Sequence, residues 1–340
     1  MSDTPTPPTV LILGANGRFG LAAAQAFHAA GWQVVAALRG EPAPGMPKGV
    51  HVVHTPVQQT EQLAREAIGA HAVVHALNPP YTRWHSELLP LAHAGMDVAQ
   101  SLGARLYLPG NVYNFGADMP ACLREDTPQR AATRKGALRM QLEHELAQRC
   151  AQGQLRATVV RAGDFFGGGT GTWLDQAIVK SLRAGRLVYP GPTDRPHAWA
   201  YLPDLASTFV ALAHRAPQAC LPFERFHFPG HTLTGAELLD GIVQAAHDLG
   251  LDPGTPWSRA GMPWGVIRVG ALVVPMWREL AEMAYLWSVP HALAGDAIQR
   301  AVKPLPATPL STALRASLLG LGFGNRPRDR MQPTPGQGTA

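Results

Sequence analysis

Three glycines, Gly14, Gly17 and Gly20, follow the apolar run Val10-Leu11-Ile12-Leu13 and open a helix-patterned stretch, Phe19 to Ala30, that Gly31 closes. Residues without side chains at this spacing offer bare backbone N–H groups, at the positive end of a helix, to a phosphate. A strand before, a helix after and a second strand expected at Val34–Leu38 make the spacing a candidate cradle for a dinucleotide pyrophosphate, with Asn16, Arg18 and Phe19 inside it. Arg39 ends the second strand, where the adenosine ribose would lie. Positions 38 to 40 hold no Asp or Glu for a free 2′-hydroxyl, and an arginine suits a 2′-phosphate, so NADP is expected over NAD. Asn78, ahead of Pro79-Pro80, would shape the nicotinamide side. Asn111, just beyond the fifth strand, has an amide able to donate to a carbonyl or a developing oxyanion, and it equally suits a tight turn.

These residues need a frame, and the apolar pattern supplies one. Strand-like runs at Val10–Leu13, Val34–Leu38, His51–His54, Ala72–Ala76, Arg105–Leu108 and Ala157–Arg161 alternate with helix-like segments at Phe19–Ala30, Thr60–Ile68, Tyr81–Leu102 and Arg134–Ala151. That alternation predicts an α/β fold: a doubly wound parallel sheet of Rossmann type over residues 9–165. In the last helix Leu138, Leu142 and Leu146 recur every four residues and mark the face that meets the sheet. The second half, 166–324, is less regular and predicts a smaller, mostly helical lobe that carries the substrate. It holds the glycine-rich loop Gly167–Gly171, a helix expected at Trp173–Ala184, a capping-box spacing at Thr234-Gly-Ala-Glu237, and Thr308-Pro309, which reads as an N-cap with proline behind it. Asp204 is expected to cap the helix that follows it. Residues 1–8 and 325–340 are expected to be disordered.

The ordered set Gly14/Gly17/Gly20, Val73-Val74-His75-Ala76, Leu108-Pro109-Gly110-Asn111-Val112-Tyr113, Lys135, Arg161-Ala-Gly-Asp-Phe-Phe-Gly167 and Tyr201-Leu-Pro-Asp204 resembles the extended short-chain dehydrogenase/reductases, which include the NAD-dependent epimerase/dehydratases. The resemblance spans about residues 9–250 and implies a nicotinamide cofactor. The departures are as informative. The family's tyrosine would stand four residues before Lys135, where this chain has Ala131, and its serine would fall near Pro109 or Gly110. Alanine donates no proton, so the family's usual mechanism is not available from these positions.

Three readings remain open. Lys135 acts itself as acid and base near the nicotinamide ribose, with burial beside an arginine easing its deprotonation. Alternatively a phenol from elsewhere substitutes, with Tyr113 and Tyr201 the candidates. Otherwise no chemistry occurs and the chain senses the NADP(H) ratio. His197 stands where sugar-nucleotide members carry an arginine on the substrate's diphosphate, and a mostly neutral imidazole lacks that bidentate fork. His197, Trp199 and Tyr201 are the expected substrate-side residues. A Trp/Met-rich stretch from Trp257 to Trp287 favours an apolar ligand, or is instead ordinary core or an interface between two copies in a homodimer.

Bulk properties exclude several classes. With 46% hydrophobic and 16% charged residues the chain is globular rather than disordered. A formal charge of +5 without Lys/Arg runs argues against nucleic acid. Three scattered cysteines have neither disulfide nor metal spacing, and the fourteen histidines form no ligand pattern, so no metal is expected. No leader or membrane span is evident, which predicts a cytoplasmic protein. The leading expectation is an NADP(H)-dependent oxidoreductase for a small, mainly apolar carbonyl or alkene. Its catalytic residues are Lys135, Asn111 and Tyr113, and a sugar-nucleotide epimerase/dehydratase is the alternative.

Overall fold

The structure, a computed structural model, describes residues 6–324. Most of the segment 1–8 and all of 325–340, the stretches expected to be disordered, lie outside the described residues. The strands are β1 (Thr9–Leu13), β2 (Gln33–Ala37), β3 (His51–Val53), β4 (Ala70–His75), β5 (Arg105–Gly110), β6 (Cys122–Leu123) and β7 (Arg156–Arg161). They continue as β8 (Asp164–Phe166), β9 (Arg186–Tyr189), β10 (Pro196–Tyr201), β11 (Phe223–His227), β12 (His231–Thr234), β13 (Ser258–Gly261) and β14 (Ala292–Leu293). The helices are α1 (Arg18–Ala29), α2 (Thr60–Glu66), α3 (Trp84–Leu102), α4 (Arg134–Ala151) and α5 (Leu202–Ala213). After them come α6 (Gly235–Asp248), α7 (Trp264–Gly270), α8 (Pro275–Met283), α9 (Asp296–Ala301) and α10 (Leu310–Gly320).

Runs as apolar as Val10–Leu13 must be covered on both faces, and they are. Seven strands pair in parallel in the order β11-β7-β5-β4-β1-β2-β3. One face packs Leu63, Met96, Leu142 and Leu146 from α2, α3 and α4 against the sheet; the other packs Phe27, Leu205 and Phe209 from α1 and α5. This is the doubly wound Rossmann-type arrangement, and the direction of strand order reverses between β1 and β4. Ligands of such sheets sit at that switch point, beyond the carboxyl ends of the strands. An ion cluster locks α4 to the β7–β11 edge of the sheet: Glu143 takes the guanidinium of Arg161 and an amide hydrogen from Asn114, with Arg225 at 3.1 Å.

The second lobe has its own core around Leu187, Trp199, Leu239, Trp287 and Leu314. It is not purely helical, because β12-β10-β8 and β13-β9 form small sheets within it. Three local expectations are corrected. The segment 173–184 buries Leu174, Ile178 and Leu182 but is not one helix: it breaks into two short turns, and Ser181 bridges back to Arg186. Thr308 does not cap α10. Its N–H and hydroxyl both bind the Asp204 carboxylate, at 2.6 and 2.7 Å. Asp204 therefore fastens the C-terminal segment to α5 instead of capping a helix, since α5 already starts at Leu202. The capping box on α6 is present as the sequence spacing demands.

Candidate active site

The glycine turn is built for close approach. Gly14 has φ +82°, and its N–H and that of Ala15 bind the carbonyl of Ala37, tying the turn to the end of β2. A Cβ at Gly20 would stand 2.2 Å from the carbonyl oxygen of Gly14, so only glycine lets α1 lie this near β1. The helix opens at Gly17 with no side-chain cap and no acidic residue in its first turn. Its first N–H groups thus keep their field and their donors for an anion. This backbone fits a dinucleotide's phosphates.

The remaining expected cofactor residues divide. Asn16 is a fastener: its amide donates to the carbonyls of Arg39 and Glu41 and accepts from the N–H of Ala43, fixing the loop after β2. Arg39 is left exposed at that loop, with its guanidinium free to meet an anion. Phe19 turns inward, its ring edge-on to Phe209 at 4.7 Å. Arg18 reaches toward Gly171, so the glycine-rich loop 167–171 lies beside the start of α1. Asn78, exposed beyond β4, accepts a weak 3.4 Å bond from Arg139.

Beyond β5 the chain brings two phenols together. The hydroxyls of Tyr81 and Tyr113 are 2.7 Å apart, and Tyr81 also lies under the ammonium of Lys135, 5.3 Å from ring centre to Nζ. Burial pushes the Tyr113 phenol well above its ordinary pKa, and the neighbouring Tyr81 adds to this; burial likewise raises Tyr81. Both hydroxyls are therefore proton donors at neutral pH. Arg139, its own pKa lowered by burial, stacks on Trp84 and completes this wall. Asn111 accepts from the N–H of Tyr113, which leaves its amide hydrogens unused by that turn.

Lys135 is as buried as its place at the start of α4 suggested, at 2% exposure, but its partners differ from the expected arginine. Its ammonium is held between Glu279 and Glu282 of α8, the second at 2.6 Å, and its backbone N–H also meets Glu282. Burial raises the Glu282 carboxyl, yet the bonds and charge of Lys135 outweigh this and hold it below the ordinary range. The free amine anticipated from sequence is thus ion-paired beneath α8, with Arg134 on the same two carboxylates at 3.5 and 3.6 Å.

The expected substrate residues also change character. His197 and Trp199 are 3% and 1% exposed because alternate residues of β10 point into the second core. His197 stacks flat on Trp287 at 4.4 Å and binds the Asp164 carboxylate at 2.8 Å. Only Tyr201 of the three keeps partial exposure, its ring lying over Gly167. Tyr81, Arg139, Glu279 and Glu282 were missed from sequence. The i,i+3 spacing of the two glutamates allows both to reach one cation, but that cation lies some 144 residues away in the chain. Among the described residues no group of three or more His, Cys, Asp or Glu is placed to hold a metal.

Neither the protein-family models nor the curated proteins give a match to this sequence. Solved structures do match. The UDP-glucose 4-epimerase of Brucella ovis, in complex with NAD, superposes with TM-score 0.70 at 16% identity, covering 94% of this chain and 100% of that one. The fold is that of the UDP-sugar epimerases. The UDP-glucose-4-epimerase of Stenotrophomonas maltophila, with bound NAD, gives TM-score 0.71 at 15% identity, over 92% of this chain and 97% of that one. A putative epimerase of Burkholderia cenocepacia J2315 gives 0.70 at 18%, with the same coverage. The doubly wound fold expected from the motifs is therefore the one found, and it is shared with these structures over nearly the whole chain.

Proposed function

We propose that this chain binds a nicotinamide dinucleotide, NADP(H) ahead of NAD(H), and acts as an oxidoreductase on a small, mainly apolar carbonyl or alkene. The uncapped, acid-free start of α1 over Gly14–Gly20 carries the reading, because it has the donors and the clearance that a pyrophosphate needs. Arg39 supports NADP(H) as the exposed cation at the ribose end, although the similar structures hold NAD.

A bound nicotinamide would supply or accept the hydride. The residues of this chain manage position and proton. Tyr113, neutral and hydrogen-bonded to Tyr81, donates a proton to the substrate oxygen or carbon, and Tyr81 replaces it along their shared hydrogen bond. The Asn111 amide steadies the oxygen. Lys135, through Glu279 and Glu282, holds α8 as a roof that limits water. A neutral phenol suits reduction, where the protein gives a proton. It suits an epimerase poorly, since abstraction of a hydroxyl proton needs a phenolate.

A second reading, a non-catalytic NADP(H)-sensing protein, draws support from Ala131 and from the ion-paired state of Lys135. Thermal unfolding with NAD, NADH, NADP and NADPH tests the shared step, since a ligand that prefers the folded chain raises its midpoint. NADP(H) should raise it most. A greater rise with NAD(H) removes the role of Arg39, and no rise with any of the four removes the dinucleotide reading. Oxidation of NADPH over a panel of apolar aldehydes, ketones and enones separates enzyme from sensor.

A further inference from the structure

The most exposed large apolar side chains of the described residues include five on one hairpin: Val266 and Val269 of α7, Leu272 and Val273 at the turn, and Met276 of α8. Leu272 and Val273 are 80% and 81% exposed. Contiguous exposure of this kind marks an interaction surface, whereas Ile68, Leu221 and Leu319 are scattered singly.

The chemistry of the hairpin selects its partner. From Met262 to Arg278 there is no Asp or Glu, and the two charges are Arg268 and Arg278, both exposed on either side of the apolar tip. The next acid, Glu279, is turned inward onto Lys135. Trp264, half-buried, anchors the start of α7 to the second core through Trp173 and the Pro190 carbonyl, which leaves the apolar tip as the exposed end of the hairpin. The backbone donors of the tip are also satisfied within it. The N–H groups of Leu272, Val273 and Val274 bind the carbonyls of Val269 and Gly270, so no backbone donor there would be stranded among acyl chains. Trp277 lies so close over Gly270 that a Cβ there would be 2.1 Å from its ring, which fixes the two helices as one preformed wedge.

We propose that the α7–α8 hairpin seats this protein on an anionic lipid surface, with Leu272 and Val273 in the acyl boundary and Arg268 and Arg278 on the headgroup phosphates. It does not span the bilayer: no helix among the described residues is long and apolar enough to cross a membrane. A second copy of the chain is the poorer occupant, since a stable interface needs about 800 Å² from each partner, which five side chains do not supply, and like charges would face each other across a two-fold axis. The same helix roofs the candidate site through Glu279 and Glu282, so the surface that meets lipid adjoins the place where an apolar substrate would enter.

Sedimentation of the full chain with vesicles of phosphatidylcholine, with and without phosphatidylglycerol, tests this without any cofactor. Binding is expected to the phosphatidylglycerol vesicles and to weaken as salt is added. Leu272→Asp with Val273→Asp should abolish it with an unchanged melting temperature, because both side chains are already in water. Arg268→Gln or Arg278→Gln should each weaken it about fivefold. No binding to phosphatidylglycerol vesicles overturns the proposal, as does binding that the Asp pair leaves intact. A concentration-dependent dimer dispersed by the Asp pair, without vesicle binding, assigns the hairpin to a second copy instead.

Discussion

Tyr81 and Tyr113 meet hydroxyl to hydroxyl at 2.7 Å, although one follows β4 and the other β5. The pair stands at the carboxyl edge of the sheet, beside Lys135 and Arg139. If Tyr113 gives the proton, Tyr113→Phe should lower kcat by about a hundredfold or more and leave the dinucleotide-induced rise in melting temperature unchanged. Tyr81→Phe should have a smaller effect, because water can replace a relay more easily than a donor. The stability cost of either is about 1 kcal/mol, the net worth of one hydrogen bond. Steady-state turnover and thermal unfolding of both variants check this, and an unchanged rate in Tyr113→Phe excludes the phenol.

Lys135→Met should damage the fold before it reports on chemistry. It leaves Glu279 and Glu282, side chains 14% and 15% exposed, with the largely exposed guanidinium of Arg134, at 3.5 and 3.6 Å, as their remaining cation. Removing one partner from a buried pair costs up to about 3–5 kcal/mol, and Arg134 offsets part of that here. The triple change Lys135→Met, Glu279→Gln, Glu282→Gln removes all three charges and should recover most of the loss in a urea titration. Activity in the triple variant then shows whether the ammonium takes part in the reaction or only holds α8 in place.

Arg39→Ser should shift cofactor preference. A guanidinium on a phosphate contributes about 1.5–3 kcal/mol, so NADPH should bind roughly tenfold or more weakly while NADH changes little. Calorimetric titration of both reads this directly. Equal losses for the two cofactors would place Arg39 on a part of the dinucleotide that they share.

The frame of this site was legible because its causes are local. Val10–Leu13, Gly14, Gly17, Gly20 and the Leu138/Leu142/Leu146 stripe each follow from period or backbone clearance, and β1, α1 and α4 fall within a residue or two of expectation. What was not legible depends on distant partners. Asn16 lies inside the cradle by position, yet the loop 39–43 occupies its amide. His197 has the right place on β10 for a substrate contact, but strand alternation turns it onto Trp287. Lys135 is buried as foreseen, and only the fold shows that α8 brings two carboxylates to it. The Trp/Met-rich stretch likewise divides, with Trp287 entering the core while the α7–α8 tip stays in water.

Buried histidines should make the fold acid-labile over a defined window. Burial, then the charge of His197, lowers His291 to about 4; burial, then Arg161, lowers His227 to about 4. The unfolded chain titrates both near 6.5. Above that value neither form is protonated and the histidines have no pH effect. Between 6.5 and about 4 only the unfolded chain takes up protons, so stability falls as pH falls, by about 1.4 kcal/mol per pH unit for each histidine. His291→Gln should therefore flatten the pH dependence of urea unfolding between pH 6 and 5 by about one proton's share. An unaltered slope would mean that His291 already carries its proton inside the fold, edge-on to the ring of His197 at 4.5 Å.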